Sequence, residues 1–322
     1  MKGAILSASG LAIGDAPKPE IKPNEILVRV AAAGLNRADV LMADGRMHGK
    51  LGGAGTVVGL EWAGEVVEIG HECEKFKAGE PVMCSGSGGY AEYAATDWGR
   101  ALPLPAADMS YEQAAALPIA LMTMHDALVG NGGLGAGESV LIQGASSGVG
   151  LMALQIAKYL GAGLVIGTSR DAGRRARLKD FGADMALDPG DPAWPEAVLE
   201  ATGGGVDLIV DQVSGGVAND NMKAARILGR IVNVGRLGGF TGEFDYDLHA
   251  LKRIQYTGVT FRTRSLEEVR EINRKMRADL WPAVAAGILS LPIDRVFPLA
   301  EAAAAQAHMR ANAHLGKIVL KL

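Results

Sequence analysis

Hydrophobic positions in the first third of the chain come in short runs, each cut off by glycine or proline, and this pattern predicts strands rather than helices. The runs at 4–6, 25–30, 63–70, 81–84 and 90–94 read as strands. Pro17, Pro19, Pro23, the cluster Gly52, Gly53 and Gly55, and the run Gly86-Ser87-Gly88-Gly89 read as the turns between them. Short strands punctuated in this way predict a small barrel or sandwich over residues 1 to about 120.

From about residue 121 the period changes. Val140-Leu141-Ile142 is the apolar run that a buried parallel strand needs. A turn at 144–150 follows, and then Leu151, Leu154, Ile156, Ala157 and Leu160 recur at helical spacing as far as Gly161, a C-terminal stop. Leu164-Val165-Ile166 is a second buried strand. Helices at 174–181, 195–201 and 219–228 then alternate with strands at 185–187, 206–210, 230–235 and 255–261. Six strands with helices between them predict an α/β, doubly wound parallel sheet. The chain closes with a helix at 266–285, an apolar segment around Val296-Phe297, an alanine-rich helix at 299–310 and a strand at 316–320.

Composition narrows the class. A length of 322 residues suits two domains. With 48% hydrophobic and 21% charged residues, the chain can bury a large core and is no disordered segment. A net charge of −4 carries no general footprint for nucleic acid or an anionic membrane. The two cysteines, Cys73 and Cys84, suit a reducing compartment. The first apolar run is too short for a signal peptide and no window reaches transmembrane length, so a cytoplasmic protein is expected.

The chemistry concentrates in the strand, turn, helix and strand around residue 148. Ser146, Ser147, Gly148, Val149 and Gly150 form an AxxGxxG turn, with Ala145 where GxGxxG has its first glycine. Small residues there let a pyrophosphate approach the backbone and sit on the free N–H groups and positive end of the helix. NAD sites usually carry Asp or Glu at the end of the second strand, on the ribose 2′-hydroxyl. Here Thr168-Ser169-Arg170 stands in that place, with Arg174 and Arg175 just beyond. A hydroxyl and guanidinium groups suit a 2′-phosphate, which favours NADPH over NADH. Asp171 is the dissenting residue, and without a ligand Arg174, Arg175 and Arg177 would read as a solvated helix face. Val213, within 211–215, and Val234-Gly235 lie at carboxyl ends of strands, where open α/β sheets bind ligands.

Several ordered motifs then carry a resemblance. They are Ala33-Gly34-Leu35-Asn36-Arg37-Ala38-Asp39-Val40, Gly59-Leu60-Glu61-Trp62-Ala63-Gly64, Ser87-Gly88-Gly89-Tyr90-Ala91-Glu92-Tyr93, the AxxGxxG turn, and the terminal Gly316-Lys317-Ile318-Val319-Leu320. Over nearly its full length the chain resembles a zinc-independent medium-chain dehydrogenase/reductase of the quinone oxidoreductase, zeta-crystallin-like type. The resemblance implies a GroES-like β-barrel catalytic domain over 1–121, an NADPH-binding Rossmann domain over 122–262, and a C-terminal segment, 263–322, that returns to the catalytic domain. It also implies roles for residues. Asn36 would stand near the nicotinamide ribose or substrate, and Thr123 would approach the nicotinamide end, making these two the catalytic candidates. Ser147 to Gly150 would hold the pyrophosphate, Ser169 and Arg174 the 2′-phosphate, and Phe261 and Arg262 would line the nucleotide cleft.

Zinc-dependent relatives place Cys in the segment equivalent to 35–39, a His-Glu pair in the GxE segment, and a four-Cys lobe. This chain has no Cys in that segment, Leu60 where the His would be, and too few cysteines for the lobe. His48, His71, His125, His249, His308 and His314 show no ligand spacing, and no metal is expected. Without a Lewis acid to hold an alkoxide, the feasible chemistry is hydride transfer from NADPH to a quinone or the β-carbon of an enone. The alternatives are a trans-acting enoyl-thioester reductase and a catalytically silent NADPH-binding protein. Two positions depart from the family. Leu41 replaces a tyrosine that would donate a proton, leaving Asp39, His48 or solvent, and Pro189 falls where some relatives pack a tyrosine on adenine. The implied partners are a small-molecule acceptor and a second copy of the chain, with no nucleic acid and no membrane. A sheet edge near 256–261 supports the two-fold dimer. The glycine-rich loop at 42–56 carries no readable code for the acceptor.

Overall fold

The strand Glu25–Gly34 is buried at most of its positions because it is paired along both edges. On one edge it runs antiparallel to Glu61–Ile69. On the other, Tyr93–Asp97 lies beside its first half and the closing strand Lys317–Lys321 beside its end. From Glu61–Ile69 the sheet continues through Pro81–Ser85 to Ala101–Pro103, and from the closing strand to Ile293–Pro298, which is parallel to it. A separate hairpin pairs Lys2–Ser7 with Gly10–Asp15. Ile26, Val28, Trp62, Val82, Tyr90, Ile318 and Leu320 share one core, and each fully buried Ile or Leu stabilises by about 2 kcal/mol. The motif glycine Gly59 serves this core. Its φ is +111°, and a Cβ there would stand 2.5 Å from the Tyr90 nitrogen, so no other residue fits.

The second sheet has six strands, every neighbouring pair parallel. Its order is Met185–Leu187, Leu164–Thr168, Ser139–Gln143, Val206–Asp211, Ala225–Asn233, Gln255–Gly258. Counted along the chain this is 3-2-1-4-5-6, the dinucleotide-binding order. Val206–Asp211 is buried at every position, as a strand covered on both faces requires. The order reverses between Ser139–Gln143 and Val206–Asp211, and ligands bind outside the carboxyl ends of strands at such a switch point.

The computed structural model describes every residue except 8, 9, 74 and 107. Met1–Ala120, Phe261–Ala285 and Ser290–Leu322 form one unit, and Leu121–Thr260 with Ala286–Leu289 form the other. Among the described residues, no helix is long and apolar enough to cross a membrane.

Several element boundaries differ from the sequence pattern. Residues 90–92 are not strand: Tyr90 is held by single backbone bonds to Val58 and Ala4, and the strand starts at Tyr93. The helix expected at 219–228 stops at Ala224, because the next strand opens at Ala225 and Leu228 takes a φ of +62°, outside helical space. The strand expected at 255–261 ends at Gly258. The strand Gly10–Asp15 and the short helix Arg37–Ala43 were hidden by weak periodicity.

Candidate active site

Strand Ser139–Gln143 runs into Gly144, whose φ of +69° turns the chain toward helix Gly148–Tyr159. Ser147 caps that helix, its Oγ accepting the Gly150 N–H at 3.0 Å. Gly150 is obligatory, since a Cβ there would lie 2.7 Å from the Cα and carbonyl oxygen of Ala145. Ala145 itself is buried, and its methyl, in place of the first glycine, lies against Gly167, where a Cβ would stand 3.0 Å from it. The first-turn N–H groups of Gly148 and Val149 have no carbonyl of their own helix to bond, which suits an anion.

A chain of buried amides stands behind the turn, and sequence reading missed it. The Thr168 hydroxyl accepts the Gly144 N–H at 3.0 Å and donates to Gln143 Oε1 at 2.7 Å. Gln143 Nε2 donates to Asn221 Oδ1 at 2.8 Å, and Gln212 Nε2 donates to the Gln143 carbonyl at 3.1 Å. Gln212 Oε1 lies 2.9 Å from the Ser147 hydroxyl, which couples the cap to the loop after Val206–Asp211. The only signal in the sequence was polar residues where a buried strand ends.

At the end of Leu164–Thr168 the structure brings Ser169 against Ser146, their hydroxyls 3.1 Å apart. Asp171 is occupied structurally: it caps helix Ala172–Arg177 through the Arg174 N–H at 2.8 Å and pairs with the Arg174 guanidinium at 3.5 Å. That N–H bond, with the Arg174 charge, holds the Asp171 carboxyl below its ordinary range. Arg175 turns inward to the Ser169 carbonyl at 2.8 Å and Asp188 at 2.9 Å, and Arg177 pairs with Asp180, so neither belongs to a bare basic face. Arg170 is exposed and Arg174 half-buried.

The loops after the next two strands are knitted together. Asp211 Oδ1 accepts the Val213 and Ser214 N–H groups at 2.8 and 2.9 Å, and the Asp211 carbonyl accepts Val234 and Gly235 at 2.7 and 3.1 Å. Burial pushes the Asp211 carboxyl up against the pull of those N–H donors. Thr123 is half-buried on helix Pro118–His125. Phe261 and Arg262 fall in the first unit, where Arg262 lies beside His48 and Gly49.

Also in the first unit, Asn36 sits in a cluster of buried polar groups. Its backbone N–H donates to Asp39 Oδ2 at 2.9 Å, capping helix Arg37–Ala43. Its side-chain Nδ2 donates to Glu61 Oε1 at 2.9 Å, and its Oδ1 accepts from Lys317 Nζ at 3.1 Å. Lys317 also donates to Glu61 Oε1 and to the Leu35 carbonyl, while the Ile119 N–H takes Glu61 Oε2 at 2.8 Å. Asp39 Oδ2 further accepts the Tyr90 hydroxyl. Asp39, Glu61, Tyr90 and Lys317 are all buried, so the charges meet almost no solvent.

With this geometry the comparisons are unambiguous about class. Residues 22–106 match the alcohol dehydrogenase GroES-like domain family, and 148–277 match the zinc-binding dehydrogenase family. The chain belongs to the medium-chain dehydrogenase/reductase family and is an oxidoreductase fold with a GroES-like domain and a Rossmann domain. Over 300 residues it is 30% identical to a mycocerosic acid synthase-like polyketide synthase of Mycobacterium tuberculosis, covering 92% of this chain and 14% of that protein. The chain therefore spans a small part of the curated relatives it matches. Quinone oxidoreductase of Pseudomonas syringae superposes with a TM-score of 0.88 at 27% identity, covering 100% of this chain and 99% of that one. A mycobacterial protein solved with NADPH gives 0.89 at 26%, covering both chains fully.

Proposed function

We propose that the chain transfers a hydride from NADPH to a quinone or an α,β-unsaturated carbonyl acceptor without a metal. The observation that carries this reading is the glycine turn at the start of helix Gly148–Tyr159, with paired Ser146 and Ser169 and the neighbouring Arg170 and Arg174, residue types that suit a pyrophosphate and a 2′-phosphate. Gly148 and Val149 would take the pyrophosphate, Ser169, Arg170 and Arg174 the 2′-phosphate, and Val213, Val234 and Gly235 the nicotinamide-side loops. When bound, NADPH supplies the hydride. The residues of the chain supply the rest: a fixed amide at Asn36 to donate to the oxygen that gains charge, and access for a solvent proton, since Leu41 offers none. Hydride addition at the β-carbon of an enone gives an enolate, and one proton from water completes the saturated carbonyl.

The metal-free part rests on donors. Leu60 has no ligand atom, Glu61 is engaged by Lys317, Asn36 and Ile119, and no cluster of three metal-ligating side chains occurs among the described residues. These groups do not fit a zinc ion. The reading includes a cytoplasmic homodimer built along Gln255–Gly258, the end strand of the parallel sheet. Sedimentation as a monomer at micromolar concentration would remove the dimer.

A second reading, enoyl-thioester reduction, is favoured by the polyketide synthase relative. One panel separates the two: oxidation of NADPH and NADH against 1,4-benzoquinone, 9,10-phenanthrenequinone, a medium-chain enone and crotonyl-CoA. Turnover with NADPH on quinone or enone supports the first reading, and selective turnover of crotonyl-CoA the second. Tight binding of NADPH with no oxidation on any acceptor leaves a silent binding protein.

A further inference from the structure

Lys317 is a lysine with a 4% exposed side chain, set on the closing strand and directed at a fully buried glutamate. Its ammonium has three acceptors, Glu61 Oε1, Asn36 Oδ1 and the Leu35 carbonyl, so every N–H is used and none is left as a proton source. A buried ion pair gives little net stability compared with an apolar pair of the same shape. What the pair does produce is a fixed amide. Glu61 accepts one hydrogen of Asn36 Nδ2 at 2.9 Å while Lys317 donates to Asn36 Oδ1, so a flip of the amide would set donor against donor. The other Nδ2 hydrogen is held only by a stretched contact of 3.5 Å to the Gly34 carbonyl. A cation on the amide oxygen draws electron density from the nitrogen and strengthens that loosely used N–H as a donor.

We propose that Lys317 and Glu61 are positioning residues that lock and polarise the Asn36 amide, presenting its second N–H to the substrate oxygen that gains negative charge. This rests on the reading of the chain as an NADPH-dependent reductase and extends it to two residues that touch no substrate. It also gives the closing strand a chemical duty, because Lys317 reaches Asn36 and Glu61 from the far end of the sequence. Asp39 supports the arrangement from the other side by holding the Asn36 backbone N–H.

The test uses the full chain. Lys317→Met alone would strand the Glu61 carboxylate in the core, so the decisive variant is the neutral pair Lys317→Met/Glu61→Gln, which keeps shape and an acceptor for Asn36 Nδ2 and gives up the bond that Glu61 Oε2 takes from the Ile119 N–H. Two readouts are taken. The first is kinetic: kcat on the best acceptor falls by at least about tenfold, the NADPH KM stays unchanged, and Asn36→Ala costs far less in the double variant than in the wild type. The second needs no turnover: the Asn36 side-chain amide resonances, assigned by their loss in Asn36→Asp, move and lose their inequivalence in the double variant. Unchanged resonances, or a folded double variant with wild-type kcat, overturn the clamp. Moved resonances in a protein that reduces no acceptor would uphold the locked amide and bring down the proposed reaction instead.

Discussion

The Tyr90 hydroxyl donates to Asp39 Oδ2 at 2.8 Å with both side chains wholly buried. The same oxygen takes the Asn36 N–H, while Asp39 Oδ1 meets no partner among the described residues. Burial pushes the Asp39 carboxyl up to about 7, overcoming the opposing pull of Tyr90, the Asn36 N–H and Lys317, and Glu61 adds to the rise.

This raised value has a definite sign in stability. Against an unfolded value of about 3.9, the folded chain holds an extra proton between roughly pH 4 and pH 7. The contribution of Asp39 is therefore complete below about pH 4 and is lost as the pH rises to about 7. Asp39→Asn removes the titration with little change of shape. The unfolding free energy of the wild type minus that of the variant should fall by roughly 1.4 kcal/mol per pH unit across this window. Urea melts at pH 5, 6, 7 and 8 measure it, and a flat difference would contradict the raised carboxyl.

The cap on helix Gly148–Tyr159 predicts a graded pair of variants. Ser147→Ala removes the acceptor for the Gly150 N–H and should cost about 1 kcal/mol in thermal stability. It also breaks the tie to Gln212, so NADPH affinity should fall with it. Gly150→Ala is more severe, because its Cβ would meet Ala145 backbone atoms at 2.7 Å. Calorimetric titration should show NADPH binding lost in Gly150→Ala and only weakened in Ser147→Ala. Equal binding in Gly150→Ala would mean the turn is not the pyrophosphate site.

The parallel sheet and its turn were legible because both depend on local pattern: apolar runs of strand length and small residues at fixed spacing. Gln143, Gln212 and Asn221 were not, because three amides far apart in sequence announce no partnership until the sheet sets them side by side. Lys317 stands out in the sequence only as part of the terminal motif, and a lysine before an apolar strand reads as a solvated charge. Its burial follows from the closing strand inserting beside Glu25–Gly34, a long-range pairing with no local trace. Asn36 was found by resemblance, but its orientation depends on Glu61 and Lys317. Helix Arg37–Ala43 escaped because seven residues carry only a weak helical period, and its capping box, closed by Asp39 rather than the usual Glu or Gln, gave no second signal.

Arg174 should decide the cofactor. Asp171 caps its helix and pairs with the Arg174 guanidinium, so its charge is offset at the corner formed by Ser146, Ser169 and Arg174. Arg174→Ala should raise the KM for NADPH by about tenfold, the loss of one charge-assisted contact, and leave that for NADH unchanged. Added salt should mimic the substitution in the wild type. Equal effects on both cofactors would assign Arg174 to folding alone.

Within the first unit, the long helix Leu266–Ala285 is fastened by a forked pair, Arg270 Nε to Asp97 Oδ1 at 2.9 Å and Nη2 to Oδ2 at 2.6 Å. Asp97 is buried and also accepts from Asn24 Nδ2 and the Gly99 N–H, and the Arg270 guanidinium lies 4.7 Å from the Trp98 ring centre. Burial works to raise the Asp97 carboxyl, but Arg270, Asn24 and Gly99 outweigh it and hold the group below its usual value. Arg270→Ala leaves that carboxylate buried without its counter-charge and should cost about 3 kcal/mol. Arg270→Lys should recover only part of this, since an ammonium cannot bridge both oxygens. A depressed carboxyl stabilises above its unfolded value and loses that contribution as the pH falls through the folded one. The deficit of Arg270→Ala should therefore be full at pH 7 and narrow below about pH 4. Denaturant melts followed by tryptophan fluorescence, taken at both pH values, would show the narrowing; a deficit independent of pH would mean that the loss comes from packing on Trp98 and not from the pair.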